Sequence, residues 1–334
     1  IENAKVGDPE AIFFSNMMSG RLQSQDHLGA MLADELGLLG VPAMRIEAAC
    51  GSGGAALHAG FLAVESGVYE KVLVVGAEKM SDCSTEQVTT ALMTAEDREY
   101  THFVGTSFVG LNALVHRLYM EKYGLTEAQM SVLAVLSQNN AINNPYAQFR
   151  SAISVEDVLN SPYVAEPIHL LEAAGIGDGA AALMLTTEEV ARRTGVLYAR
   201  ILSSRLATDS LRLYEREDLT SFRSVRLAAE QAYSEAKVSP ADIDVVEVHD
   251  AFTIVGYLAL EDLGLVSKGD APIAVEKRMT LSGRPAVNTF GGLKGRGHPI
   301  GATGIYQVAE AYLQLIGNAG KNQVENAKLA ITVN

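Results

Sequence analysis

The strongest constraint on the fold of this chain is an alternation of apolar, strand-like runs with segments of helical periodicity. The clearest run is Lys71–Ala77 (KVLVVGA), which is almost continuously apolar, as in a strand that is covered on both faces. It follows a predicted short strand at Ala43–Ala48 and a predicted helix at Gly54–Ser66. Because parallel strands need crossover connections, which are usually helices, this order predicts an α/β fold with parallel strands.

The same plan recurs in the second half of the chain, which predicts two similar α/β units packed face to face. The other predicted strands are Ala11–Met17, Ala180–Thr186, Tyr198–Ser204, Ile243–Val248 and Leu329–Val333, and the other predicted helices are Ser24–Leu38, Glu188–Arg193, Ser221–Lys237, Phe252–Leu263 and Ala302–Leu315. Residues 94–167 break the rhythm, with two helical patterns and an irregular segment. We predict that they form an insertion folded over the edge of the sheet, within a first half of about 1–195 and before a second half of 196–334.

Composition and charge exclude several classes of protein. The 334 residues include 26 Lys and Arg against 40 Asp and Glu, a net charge of −14, which disfavours nucleic-acid binding. No apolar run approaches the roughly 20 residues of a membrane span, and the two cysteines, Cys50 and Cys83, are too few for a disulfide framework. With no basic-then-apolar leader, we expect a cytoplasmic enzyme. The chain starts with Ile1 and stops just after an apolar run, so we expect it to be incomplete at both ends.

Cys50 is the first candidate catalytic residue. It follows a strand pattern and precedes a glycine-rich turn, Gly51–Gly54, that opens a helix. A thiol at a helix N-terminus meets unpaired N–H groups and the helix dipole, which favour the thiolate. We therefore expect Cys50 to be a nucleophile; the alternative is a buried cysteine that acts as a small hydrophobic residue.

Two histidines are candidates to assist this thiol. His298 lies in the loop Gly291–Gly304 (GGLKGRGHPIGATG), where six of 14 residues are glycine, so the imidazole can come close to a reacting group and accept a thiol proton. The alternative is a solvent-exposed turn histidine. His249 and Asp250 follow the predicted strand Ile243–Val248, at a strand end where α/β proteins bind ligands. His249 could donate a hydrogen bond to an oxyanion, unless Asp250 only caps the next helix and His249 only satisfies backbone groups.

Together these motifs resemble those of the thiolase family. The glycine-rich loop is similar to the thiolase signature loop. The other matching segments are Glu47–Gly53 around the acyl-accepting cysteine, Val75–Met80 with its G-x-E-x-M strand end, Gly177–Ala181 (GDGAA) and His249–Phe252 (HDAF). The last resembles a subgroup with HDxF in place of NEAF, the archaeal acetoacetyl-CoA thiolases and the sterol-carrier-protein-linked thiolases. The order and spacing agree from Ala11 to Asn334.

The resemblance implies a fold and an activity. The fold is the five-layered αβαβα thiolase fold, with two similar halves and an inserted loop domain. The activity is that of an acetyl-CoA C-acetyltransferase, which condenses two acetyl-CoA molecules or runs the reverse thiolysis through an acyl-cysteine. In this scheme Cys50 is the acylated nucleophile, His298 activates it and His249 supports the oxyanion site. Coenzyme A thioesters are the substrates, and no metal or bound cofactor is required.

Substrate-binding residues are expected beside this cluster. Gly301 lies in the signature loop, and the phosphates of coenzyme A require a local basic patch on an acidic chain. Its candidates include Arg212, Arg223 and Lys294, because arginine binds phosphate in a bidentate manner. The alternative is that this stretch of mixed charge is a solvated helical face.

The chain departs from the family pattern around the second catalytic cysteine. That cysteine occurs in a C-terminal CxGGG segment, which would begin at Asn334, while Ala251 occupies the x position of HDxF and Val333 stands where archaeal relatives often have histidine. His249 or His298 is then left to deprotonate the attacking acetyl group. Two alternatives stay open: a degradative 3-ketoacyl-CoA thiolase, or a thiolase-fold subunit that binds acyl-CoA without full catalysis.

The resemblance also implies partners. We expect a homodimer or tetramer, and a complex with 3-hydroxy-3-methylglutaryl-CoA synthase through an OB-fold scaffold protein.

Overall fold

Two β-sheets with a helical layer between them form the centre of the molecule. The computed structural model describes residues 1–334. The strands are β1 (Ala11–Ser15), β2 (Ala43–Ile46), β3 (Lys71–Glu78), β4 (Tyr163–Ala165), β5 (Ile168–His169), β6 (Gly179–Thr186), β7 (Val245–Glu247), β8 (Ala286–Val287) and β9 (Ala330–Thr332). The α-helices are α1 (Ser19–Leu22), α2 (Leu28–Glu35), α3 (Ser52–Glu65), α4 (Thr85–Leu92), α5 (Phe108–Tyr123), α6 (Glu127–Met130), α7 (Val132–Ala141), α8 (Val155–Asn160), α9 (Glu188–Thr194), α10 (Arg223–Ala236), α11 (Thr253–Asp262), α12 (Ala271–Arg278) and α13 (Ile300–Leu315).

The strand directions confirm most of the predicted parallel pairing. The first sheet has the order β2-β1-β3-β6 and the second the order β8-β7-β9. β1 is parallel to β2 and β3, and β7 is parallel to β8 and β9. The expectation of parallel strands is wrong for β6, which runs antiparallel to β3. The chain between β3 and β6 is the long insertion rather than one crossover helix, so it returns to the sheet from the opposite end.

The layers follow from the two faces of the first sheet. On one face Phe13 and Val74 pack against α3 and against Ile305 of α13. On the other face Ile12 and Leu73 pack against α2. Helix α13 also contacts β7 and β9 of the second sheet, and apolar side chains of that sheet share a hydrophobic cluster with α11 on its other side. The resulting order, helix–sheet–helix–sheet–helix, confirms the five predicted layers.

The insertion packs on helix α11. The prediction that it folds over the edge of a sheet is therefore wrong. Its helices α5, α6 and α7 and its hairpin β4–β5 join the largest hydrophobic core, where Val115, Leu133 and Ile168 share a cluster with Ile254 and Leu258 of α11. The insertion therefore covers the outer helical layer of the second half, and its helix α5 faces α11 across the cavity described below.

Two predicted elements differ from the structure. The predicted helix Ser24–Leu38 is reduced to α2, Leu28–Glu35, because Ser24 and His27 both adopt positive φ angles, 53° and 64°, that no α-helix accommodates, so the helix begins only after His27. The predicted strand Tyr198–Ser204 is an irregular segment that lies across helices. The carbonyl of Leu197 accepts from the Tyr312 hydroxyl (2.8 Å), and Ser204 contacts His58 (3.1 Å). This segment pairs with no strand.

None of the helices combines the length and the hydropathy needed to cross a lipid bilayer.

Candidate active site

Cys50 lies in a tight turn between β2 and α3. The preceding residue, Ala49, has a φ of 49°, which is unfavourable for a residue with a Cβ atom. Ser52, the first residue of α3, holds the turn: its Oγ accepts from the N–H of Ala48 (2.8 Å) and donates to the carbonyl of Ala49 (2.6 Å). The thiol is therefore fixed just before the N-terminus of α3, as the sequence predicts.

A contact between two glycines brings the two halves of the site together. A Cβ atom on Gly53 would lie 2.7 Å from the backbone nitrogen of Gly304, so only glycine lets α3 and α13 approach this closely. Cys50 precedes α3 and His298 precedes α13, so this approach places them side by side. The thiol sulfur of Cys50 and one ring nitrogen each of His249 and His298 lie within 4.8 Å of one another. The structure thus brings together the three residues that the sequence proposes for catalysis.

The hydrogen bonds of His298 determine which ring nitrogen carries its hydrogen. Its Nδ1 lies 2.7 Å from Oγ1 of Thr303, and that hydroxyl donates to the carbonyl of Pro299 (3.1 Å). Because the hydroxyl hydrogen is already used, Oγ1 accepts from Nδ1–H of His298. The other nitrogen, Nε2, therefore keeps a free lone pair, which suits a general base.

His249 has the opposite arrangement, which Asn334 sets. The side-chain oxygen of Asn334 accepts from the N–H of Gly54 (3.1 Å), so its amide nitrogen faces Nδ1 of His249 at 3.2 Å. An amide nitrogen only donates, so Nδ1 of His249 accepts and its Nε2 carries the hydrogen. His249 is therefore a hydrogen-bond donor, which suits an oxyanion site.

Burial determines the charge of all three groups. Desolvation, followed by the negative charge of Glu78, raises the pKa of Cys50 to about 12. Desolvation, followed by the positive charge of Arg296, lowers the pKa of His249 to about 4, and desolvation with the neighbouring His249 and Arg296 lowers the pKa of His298 well below 6.5. The thiol is thus protonated and both rings are neutral at pH 7. The predicted thiolate does not form in the resting protein, because the loss of solvent outweighs the helix N-terminus.

Asp250 holds the loop that carries His298. Its buried carboxylate accepts from the N–H of Leu293 (2.6 Å) and from the hydroxyl of Ser137 (2.9 Å). The N-cap of α11 is Phe252, with no side-chain hydrogen bond, so the alternative that Asp250 caps this helix is wrong.

Two further carboxylates anchor the site; both lie in matched motif segments, but the motifs do not mark them as site residues. Glu78, at the end of β3, is 3% exposed and accepts from the side chain of Asn16 and from three backbone N–H groups, among them that of Gly301 (3.0 Å). Asp178, in the GDGAA turn, accepts from the N–H groups of Met80 (2.6 Å) and Ser81 (2.9 Å). In the sequence, Glu78 follows directly on a continuously apolar strand, and an acidic residue at that position indicates a buried carboxylate.

The predicted substrate-binding residues occupy different environments. Gly301 packs where a Cβ atom would lie 2.7 Å from Cα of Asn16. Arg212 is paired with Asp97 (3.2 Å) and Glu215 (2.9 Å), whereas Arg223 is exposed at the start of α10. Lys294 is 4% exposed, and burial lowers its pKa to about 8. The buried Lys294 therefore does not share an exposed surface with Arg223, and a role for each of these residues in substrate binding stays a prediction.

A largely apolar cavity of about 180 Å³ opens beside the thiol. Cys50 and His249 contribute to its wall, together with apolar side chains of α5 and α11 that include Leu111 and Leu258. An acyl group on the sulfur of Cys50 would have this cavity beside it.

The same cluster has the donor set of a metal site. One sulfur and two imidazole nitrogens are ligands that zinc uses in proteins. The same three residues also suit acyl transfer through their own groups. The thiol of Cys50 would be the nucleophile, the free lone pair of His298 its base and the N–H of His249 the oxyanion donor.

Comparisons with known proteins agree with a site for acyl transfer. The family model described as "Thiolase, N-terminal domain" matches residues 1–189, and the one described as "Thiolase C-terminal domain-like" matches residues 206–334. An acetyl-CoA acetyltransferase of Methanothermobacter thermautotrophicus is 44% identical, covering 100% of this chain and 88% of the relative. An acetyl-CoA acetyltransferase of Methanocaldococcus jannaschii is 41% identical over 92% of this chain and 79% of the relative.

More distant proteins share the fold. Human sterol carrier protein 2 is 31% identical over 90% of this chain and 57% of its own length. The solved structure of an Ltp2-ChsH2(DUF35) aldolase superposes with a TM-score of 0.77 at 24% identity, covering 98% of this chain and 84% of that chain.

Proposed function

Because the chain belongs to the thiolase family, we propose that it is an acetyl-CoA C-acetyltransferase, which joins two acetyl-CoA molecules into acetoacetyl-CoA or runs the reverse thiolysis. The two archaeal relatives with this name support the choice of substrate. The observation that carries the proposal is the cluster of Cys50, His249 and His298, in which one neutral imidazole accepts a proton and the other donates a hydrogen bond.

The first half-reaction loads the enzyme. Nε2 of His298 takes the proton of the Cys50 thiol as the sulfur attacks the carbonyl carbon of acetyl-CoA. The carbonyl oxygen becomes an oxyanion, which accepts a hydrogen bond from Nε2–H of His249. The carbon–sulfur bond to coenzyme A then breaks, and the coenzyme A sulfur takes the proton from His298. Acetyl-Cys50 and free coenzyme A result, with His298 again neutral.

The second half-reaction forms the carbon–carbon bond. A second acetyl-CoA loses a methyl proton to the neutral His298, because Nε2 of His249 already carries a hydrogen. The enolate carbon attacks the carbonyl of acetyl-Cys50, and the thioester bond to the enzyme breaks. Cys50 leaves as a thiolate and takes the proton from His298, so acetoacetyl-CoA is released and the resting state returns.

The cavity beside the thiol favours a second candidate function. An acetyl group has two carbons, whereas an apolar cavity of about 150 Å³ can hold a benzene molecule. With about 180 Å³, this chain has room for a longer or branched acyl group, so thiolysis of larger 3-ketoacyl-CoA substrates is the alternative activity.

Assembly is part of the proposal. Exposed apolar side chains on and near α2, namely Met31, Leu36, Leu39 and Met44, support association of copies into a homodimer or tetramer. A complex with 3-hydroxy-3-methylglutaryl-CoA synthase and an OB-fold scaffold is supported only by resemblance to the archaeal subgroup. Light scattering of the purified protein tests the oligomeric state.

Steady-state thiolysis tests the activity. Acetoacetyl-CoA and 3-ketohexanoyl-CoA are each offered with free coenzyme A to the parent, to Cys50→Ala and to the matched control Cys83→Ala. We expect turnover of acetoacetyl-CoA by the parent and the control, and none by Cys50→Ala. A kcat/KM at least tenfold higher for 3-ketohexanoyl-CoA would select the alternative substrate class. No turnover of either substrate by a folded parent would contradict both.

A further inference from the structure

Two charged side chains lie in the wall of the apolar cavity without forming an ion pair. Glu96 and Arg216 line the same cavity as Cys50, yet no carboxylate oxygen of Glu96 lies within 4.0 Å of a guanidinium nitrogen of Arg216. Oε2 of Glu96 is shielded from solvent and has no hydrogen-bond partner. Most of the other lining side chains are hydrophobic.

Such an arrangement is costly unless a ligand completes it. A shielded carboxylate oxygen without a donor loses its hydrogen bonds to water, and no hydrogen bond within the protein replaces them. Burial accordingly raises the pKa of Glu96, a shift that the positive charge of Arg216 opposes. Arg216 donates through Nε to the carbonyl of Ser210 (3.2 Å) and lies over the ring of Phe222 (5.9 Å), so its terminal nitrogens remain available.

We propose that Glu96 and Arg216 bind a hydroxyl group on the acyl chain carried by Cys50, and that hydroxylated acyl-CoA thioesters are a preferred substrate class of this site. A hydroxyl both donates and accepts, so it can donate to Oε2 of Glu96 and accept from the guanidinium of Arg216. A purely alkyl chain leaves Oε2 of Glu96 without a donor and the terminal nitrogens of Arg216 without an acceptor, and an acyl chain that ends in a carboxylate meets the negative charge of Glu96. The inference rests on the proposed acyl transfer through Cys50 and extends it to the identity of the acyl group.

The cavity is large enough for such a chain. Its volume of about 180 Å³ exceeds the roughly 150 Å³ that accommodates a six-carbon ring. The apolar side chains of α5 and α11 contact the methylene groups, and the two charged groups contact the hydroxyl.

The test is the rate at which Cys50 becomes acylated, followed by intact mass. Butanoyl-CoA is compared with 3-hydroxybutanoyl-CoA, and hexanoyl-CoA with 6-hydroxyhexanoyl-CoA, so that a hydroxyl near the thioester and one far from it are both sampled. The proteins are the parent, Glu96→Met, which removes the acceptor at similar size, Glu96→Gln, which keeps an acceptor oxygen, and Glu99→Met. Glu99 is exposed, lies three residues away and is outside this cavity, so it is the matched control.

We expect the parent to prefer the hydroxylated thioester of at least one pair. In Glu96→Met that preference falls about tenfold, the effect of one hydrogen bond to a charged group. Glu96→Gln retains part of it, and Glu99→Met retains all of it. A preference that is absent in the parent, or unchanged in Glu96→Met, would overturn the inference while acetyl transfer to Cys50 persists. Loss of every adduct from the parent, including the acetyl adduct, would instead contradict the proposed function.

Discussion

The imidazole rings of His249 and His298 meet edge to face, with centroids 5.0 Å apart and planes at 88°. Each ring is held by a different residue, one by Asn334 and the other by Thr303. Two identical side chains therefore present opposite functions to the same space, a hydrogen-bond donor and a proton acceptor. The proposed chemistry depends on this difference.

The hydroxyl of Thr303 should be required for the basicity of His298. Thr303→Val keeps the shape of the side chain but removes the acceptor for Nδ1–H, so the hydrogen can move to Nε2. Since the net value of one hydrogen bond is about 1 kcal/mol, we expect acetylation of Cys50 to slow five- to tenfold. Thr303→Ser should restore the rate. Equal rates for the Val and Ser variants would show that this bond does not position the proton.

Asn334→Asp should reverse the protonation of His249. A carboxylate accepts from Nδ1–H, so Nε2 would lose its hydrogen and with it the donor for the oxyanion. Removing one oxyanion donor typically lowers kcat by about 100-fold or more, and we expect that loss in thiolysis of acetoacetyl-CoA. The control is Asn318→Asp, which adds the same charge at an exposed position. A similar kcat for both variants would contradict the assignment.

The resting thiol of Cys50 should be a poor nucleophile toward a simple alkylating reagent. Its pKa of about 12 means that the thiolate fraction is small at pH 7 and rises about tenfold for each pH unit up to that value. Alkylation by iodoacetamide in a Cys83→Ser background, followed by mass, should therefore still accelerate between pH 9 and pH 10. A rate that levels off near pH 7 would show a preformed thiolate.

Buried His116 should make the protein sensitive to acid. Its side chain is 0% exposed, both ring nitrogens lack partners, and desolvation, followed by the charge of His169, lowers its pKa from 6.5 to about 4. Below pH 6.5 His116 is protonated in the unfolded chain, whereas in the folded chain it stays neutral until about pH 4. The free energy of unfolding therefore decreases as the pH falls from 6.5 to 4.

At pH 5 this difference amounts to about 2 kcal/mol of unfolding free energy. In His116→Leu, the loss of stability between pH 7 and pH 5 should be smaller by that amount in urea denaturation. His27→Leu, at an exposed histidine, provides the comparison. An acid-induced loss that is identical in the parent and His116→Leu would contradict the role of His116.

Local patterns predicted the fold better than they predicted the electrostatics. The apolar run that forms β3 and the glycines that open α3 and α13 are readable because burial and close approach leave a residue-by-residue signature. Tyr198–Ser204 has the apolar character of a strand, but whether it pairs depends on a neighbouring edge that is distant in sequence. For the same reason the antiparallel direction of β6 could not be inferred from its own residues.

In the site, too, local sequence indicates which residues take part but not their protonation states. Cys50, His298 and His249 stand out by their turns, but their protonation depends on contacts between distant parts of the chain. Asn334 is 85 residues from His249, and Glu78 is too far from Cys50 in sequence for its charge to be anticipated there. The thiol pKa was therefore expected to fall, whereas burial raises it.

Acetyl transfer to Cys50 tests the central claim most directly. The parent, Cys50→Ala, His298→Ala and Cys83→Ala are each mixed with acetyl-CoA and measured by intact mass, with peptide mapping of any adduct. We predict one acetyl group on the parent and on Cys83→Ala, located at Cys50, a strongly slowed reaction in His298→Ala and no adduct on Cys50→Ala. An acetyl adduct that persists in Cys50→Ala, or its absence from a folded parent that binds coenzyme A, would contradict the account.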